Sequence, residues 1–237
     1  MNLTVARLTL RSLLGRARVW LLLPLPVLLV GLALLANGRN VDVTDWMQPI
    51  AHSLGFAVVV PILSLIIGSS VVGSEIDDGT LVHLLTKPVP RSEILIAKLA
   101  VGAAVTSLVT AVSMFAVGAI GVDARYGLGL AVGAVVASIA YCAVFVALSV
   151  VSRRPVLIGL AYVLLWEGLL TNLLPGTRSL SIEQYALTIA SHVGGSNLLE
   201  PNVSIGTSVV MAAVVVVAAT ALAIERLRSF TLAGETS

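Results

Sequence analysis

Few side chains in this sequence could do chemistry, and their positions decide which kind. Glu167, in YVLLWEGLLTN, lies well inside an apolar run. A carboxyl in that setting either lines an ion or substrate path or serves as a structural hydrogen-bonding group. Thr171, four residues on and so on the same helical face, and the adjoining Trp166 favour a carboxyl locked by hydrogen bonds near the outer membrane interface. Asn172 adds a second polar group to this candidate path or gate. Constellations for bond-making chemistry are missing. His52, His83 and His192 are followed by Ser, Leu and Val, so there is no H-E-x-x-H zinc motif. GSSVVG at 68–73 lacks the G-x-S-x-G order of a nucleophile elbow. Neither Lys87 nor Lys98 follows a glycine, as a P-loop lysine does. No catalytic residue, metal site or cofactor is expected in this chain. Cys142 and His52 read as packing and interface residues rather than ligands.

A second cluster is polar and compact. SEIDDGTLVHLLTKPVPRSEILIAKL, residues 74–99, gathers acids, lysines and prolines between two apolar runs. Glu75, Asp77 and Asp78 precede Gly79. Thr80–Thr86 then reads as a helix of about two turns, capped by Asp78, with Leu81, Leu84 and Leu85 along one ridge. Pro88 and Pro90 stop it, and Arg91 leads into the next helix. An apolar ridge rimmed by charge and stiffened by prolines is a docking surface rather than a plain connector.

The elements that must position these groups are membrane helices. Of 237 residues, 58% are hydrophobic and 11% charged, with a mean hydropathy of +1.05; a soluble domain is about a quarter charged. A net charge of +2 with scattered basic residues gives no nucleic-acid footprint, and the lone Cys142 allows no intrachain disulfide. The fold class is all-α, a single polytopic domain over 1–237. Six runs, at 20–36, 50–72, 94–122, 126–151, 156–174 and 205–224, approach or exceed the roughly 20 apolar residues that a membrane helix needs. Pro24 and Pro26 should kink the first run or start it late. Lys98, in the first turn of the third, is expected to snorkel toward the headgroups.

With both termini cytosolic, only Arg39, Arg125 and Arg178 of the fourteen Lys and Arg fall outside, as the positive-inside bias requires. Residues 1–19 then form an interfacial amphipathic helix, 37–49 a short polar outer loop and 73–93 a cytosolic loop. The outer segment 175–204 repeats Ile182, Tyr185, Ala186 and Ile189 at helical spacing, which predicts a short helix on or dipping into the outer leaflet. Ser181 would cap it and Gly194-Gly195 would break it. Gly129-x-x-x-Gly133 predicts a close helix contact.

The 74–99 stretch resembles the cytosolic loop of ABC-2-type permeases, the membrane subunits of bacterial ATP-driven exporters. The matching positions are Glu75, Gly79, Thr80, Leu81, Leu84, Leu85, Pro88, Arg91 and Lys98. YVLLWEGLL followed by LSIEQYAL is similar to the family members with one six-span domain per chain. The resemblance implies a multi-pass protein of the bacterial cell membrane, working as a dimer or beside a sister permease and surrounded by lipid. It also implies two copies of a separate ATPase, which would hold the ATP and Mg and seat the loop helix in a cleft. Two other classes are weighed against it: an ion-coupled carrier using Glu167, and a non-transporting membrane anchor or assembly component.

Overall fold

The computed structural model describes residues 23–77, 91–152, 154–173, 175–195, 198–199 and 203–229. The expected interfacial helix at 1–19 lies outside them, as does most of the 73–93 loop. Among the described residues every regular element is helical.

Helix α1, Pro24–Gly38, begins with proline in its first turn, the late start its prolines predict, because a helix leaves those first N–H groups unpaired anyway. A turn with Asn40 at φ 52° leads to α2, Val43–Met47, which passes through a π-helical stretch, Gln48–Val59, into α3, Val60–Asp77. The loop expected at 37–49 is therefore shorter than the apolar runs suggest. Asp45 sits in the first turn of α2, where the helix dipole favours an acid, and the helix starts seven residues before the apolar run does.

Helices α4, Arg91–Gly121, and α5, Ala124–Val151, form a tight hairpin. Asp123 caps α5 by accepting a hydrogen bond from the Tyr126 amide at 2.7 Å. A Cβ on Gly118 would stand 2.6 Å from the Gly127 Cα, so only glycine permits this crossing. Then follow α6, Pro155–Ala161, a second π-helical stretch, Tyr162–Leu170, and α7, Thr171–Leu173. A 3-10 turn, Pro175–Leu180, precedes α8, Ile182–Gly194, and α9, Ile205–Ser229.

Four segments, Val43–Val71, Ser92–Gly121, Ala124–Val151 and Ile205–Leu227, are long and apolar enough to cross a membrane, and Pro24–Gly38 and Pro155–Leu170 are shorter apolar helices. Helix α5 is the axis of the bundle. It packs against α3, α4, α8 and α9, and 17 of its 28 residues are buried. Its small residues let neighbours approach, and polar pairs such as Thr110 with Ser138 at 2.9 Å fasten them. Buried Cys142 packs here, its Sγ 3.5 Å from the Thr106 hydroxyl. Helix α9 lies at the edge, with Val210 and Val217 exposed, as lipid-facing residues are.

Two expectations change. Lys98 does not snorkel: it is 4% exposed, and its Nζ donates to the Val71 carbonyl at 3.3 Å. The ammonium thus ties α4 to α3. Helix α8, expected on or dipping into the outer leaflet, packs inside the bundle, since 11 of its 13 residues are buried. The α5 glycines account for this. A Cβ on Gly133 would stand 2.6 Å from the Ala186 carbonyl, and one on Gly129 would collide with the Ala190 carbonyl. The G-x-x-x-G pair is thus the seat of α8. Its C-terminal end lies beside Tyr126, at the start of α5, so its N-terminus points into the bundle.

Candidate functional site

The N-terminus of α8 is where the buried ionisable groups converge. Ser181 caps the helix by accepting from the Gln184 amide at 3.2 Å, as the sequence predicts, and Gly195 ends it at φ 68°, a left-handed conformation that suits glycine.

The Ser181 hydroxyl also donates to Glu167 Oε2. The Ile182 amide donates to Glu167 Oε1 at 3.0 Å, and the Tyr162 hydroxyl donates to the same oxygen at 3.1 Å. Glu167 is 2% exposed, so these three donors replace the water it lacks. A carboxyl also suits this place because a helix N-terminus presents free N–H groups and the positive end of its dipole. Thr171 donates to the Glu167 backbone carbonyl rather than to its side chain. The sequence foresees a hydrogen-bonded carboxyl. It misplaces the partners, which come from the start of α8 and from Tyr162 in the turn before, and not from Thr171 in the next turn.

Helix α8 runs from Gly194 beside Tyr126, past Gly129 and Gly133, to its N-terminus at the carboxyl, so Glu167 lies well along the bundle from the Ala124 end of α5. Helix α8 thus fills the space between the Pro155–Leu173 segment and that end of α5.

Glu183, in the first turn of α8, is buried as well. Its Oε1 lies 2.7 Å from Nε2 of His52, which is carried by the first π-helical stretch and is 26% exposed. His52 is thus neither simple packing nor an isolated interface residue. Glu167 and Glu183 both act electrically on the buried Tyr141. Two carboxyls, one imidazole and two tyrosines so surround one helix end. The sequence signals were available singly, in an acid at a helix start and a histidine in an apolar run, but nothing local connects positions 52, 167 and 183.

Other candidates gain no geometry. Asn172 falls within α7, and nothing is described of its side chain. Glu75 and Asp77 end α3 and Arg91 begins α4, again without described side chains. Asp78, Gly79, Thr80, Leu81, Leu84, Leu85 and Pro88 lie outside the described residues. Among the described residues no group of three or more His, Cys, Asp and Glu could hold a metal ion.

Compared with known proteins, residues 14–174 match a family described as ABC-2 family transporter protein. No curated protein matches the chain. The matched region takes in α1 through α7, both π-helical stretches, Glu167 and the whole 73–93 loop.

Proposed function

From the premise that this chain belongs to the ABC-2 family of transporter proteins, we propose that it is the permease subunit of an ATP-driven exporter. Permeases of this family are multi-pass membrane components that work with an ABC ATPase. Here two copies of that ATPase would bind ATP and Mg and close on each other, rocking the spans of two permeases and opening a path outward. In this reading the chain has six spans, with both termini in the cytosol of a bacterial cell. The 73–93 loop is the link to the ATPase: Leu81, Leu84 and Leu85 enter its cleft while Glu75, Asp77 and Asp78 meet its basic rim. Gly79, Thr80, Pro88 and Arg91 set the geometry of that link. Glu167, with Asn172 nearby, stands at the gate of the path, because its carboxyl holds the inward end of α8 from a different segment. The family match over the loop and the fifth segment carries this reading.

The decisive experiment pairs Leu84→Asp with Leu85→Asp. Burial of one leucine contributes about 1.5–3 kcal/mol, and two buried carboxylates add a further cost. The double variant should insert normally, since membrane helices satisfy their own backbone hydrogen bonds. It should nevertheless lose its ATPase on purification, along with ATP-dependent export from vesicles. Undiminished co-purification would reduce the loop to a connector.

An ion-coupled carrier is the second reading, favoured by the acids and histidine around α8. Dissipating the proton gradient in vesicles would stop such a carrier at once, whereas an exporter would run on while ATP lasts.

A further inference from the structure

Helix α8 is held at its first turn in two directions. Glu167, from the second π-helical stretch, accepts from Ser181 and Ile182. Glu183, from α8 itself, reaches back to His52 on the first. The two bonds differ in one respect: His52 is partly exposed while both carboxyls are buried. It is therefore the member of the pair that is open to the surroundings of the chain.

The geometry points to the His52–Glu183 pair as a proton-binding site that sets how tightly α8 is held in the bundle. An imidazolium on a carboxylate makes a charge-assisted hydrogen bond, roughly twice as strong as the neutral one left after the proton departs. Histidine is the side chain that changes charge between about pH 5 and 8.

The other titratable groups of the surrounding elements lie elsewhere or are bonded to other partners. On its own helix, Asp42 and Asp45 stand seven or more positions before His52. Helix α1 contributes no titratable side chain, and the Glu93 and Lys98 of α4 lie at its opposite end, where Lys98 meets Val71. From α5 comes Tyr141, and from the second π-helical stretch come Tyr162 and Glu167, which are bonded to each other. From α8 itself, Tyr185 donates to the Ser179 carbonyl. From the preceding turn, Arg178 donates to Thr171.

Hydrogen–deuterium exchange of the purified full-length chain in lipid nanodiscs tests this without ATPase or cargo, so failure of the exporter reading would not alter the result. After correction for the intrinsic pH dependence of exchange, amides of Gln184–Ala190 should exchange about five- to tenfold faster at pH 8 than at pH 5.5, the ratio expected when a charged hydrogen bond becomes a neutral one. Amides of α4 should not follow. His52→Gln should abolish the pH dependence, and His52→Lys should keep α8 protected at both pH values. Glu183→Gln makes the same comparison from the other partner if His52→Gln does not fold. A wild-type α8 indifferent to pH, or an unchanged pH dependence in both neutral variants, would overturn the proposal.

Discussion

Glu167 is the residue whose surroundings say most about its role. Three donors converge on its two oxygens, two of them from the start of α8. Glutamine has the same shape but turns one oxygen into an NH2 that cannot accept. Glu167→Gln should therefore destabilise the chain by about 1–3 kcal/mol, the cost of a buried polar group left poorly paired. Thermal unfolding in detergent would measure it. If α8 is part of the gate, transport per folded molecule should fall too. Full transport from the folded fraction would leave Glu167 as structural glue and remove it from the path. Lys98 makes the same point elsewhere in the bundle: a charged side chain turns inward when a backbone carbonyl of the neighbouring helix offers it a partner.

At the scale of elements, small residues decide what fits. Gly133→Ala would push a methyl to 2.6 Å from the Ala186 carbonyl, backbone that cannot swing aside as a long side chain can. The substitution should lower stability by about 1–3 kcal/mol, as overpacking does. Gly31→Ala, with nothing within 4 Å of the new methyl, should be neutral or stabilising through helix propensity. Thermal midpoints of the two variants would compare them directly, and equal effects would show that α8 is not seated on that glycine. Much of this level was legible in advance. Continuous apolar runs marked the four long segments, Ser181 and Gly195 marked the ends of α8, and the two glycines marked a close contact. The burial of α8 was not legible, because Glu183, Gln184, Thr188 and Ser191 are polar and their local pattern points to water. Glu183 finds its partner in His52, 131 positions away, and periodicity carries no information about such a pairing. The π-helical stretches were also missed. Pro49 in the first of them lacks an N–H and hints at irregular bonding, but a wider helix leaves no distinctive apolar spacing.

The whole molecule has a sidedness that two cysteines can measure. In a Cys142→Ser background, Asp42→Cys should react with an impermeant maleimide added outside intact cells, and Asp78→Cys only after permeabilisation. External labelling at position 78 would reverse the orientation and remove the loop from the ATPase side. The division of labour between Pro155–Leu173 and α8 also bears on how the chain is made. A ribosome delivers the segments in order, and each long apolar one can partition into lipid as it emerges. Helix α8 has 13 residues, too few to span, and its buried acids make lipid a poor host. It can enter only after α5 offers its glycine seat and the earlier π-helical stretch offers His52, both of which are synthesised first. Insertion of α8 is thus a late step of biogenesis, templated by helices already in the membrane. A chain arrested before that step would carry its spans in place and the space beside the Ala124 end of α5 unfilled.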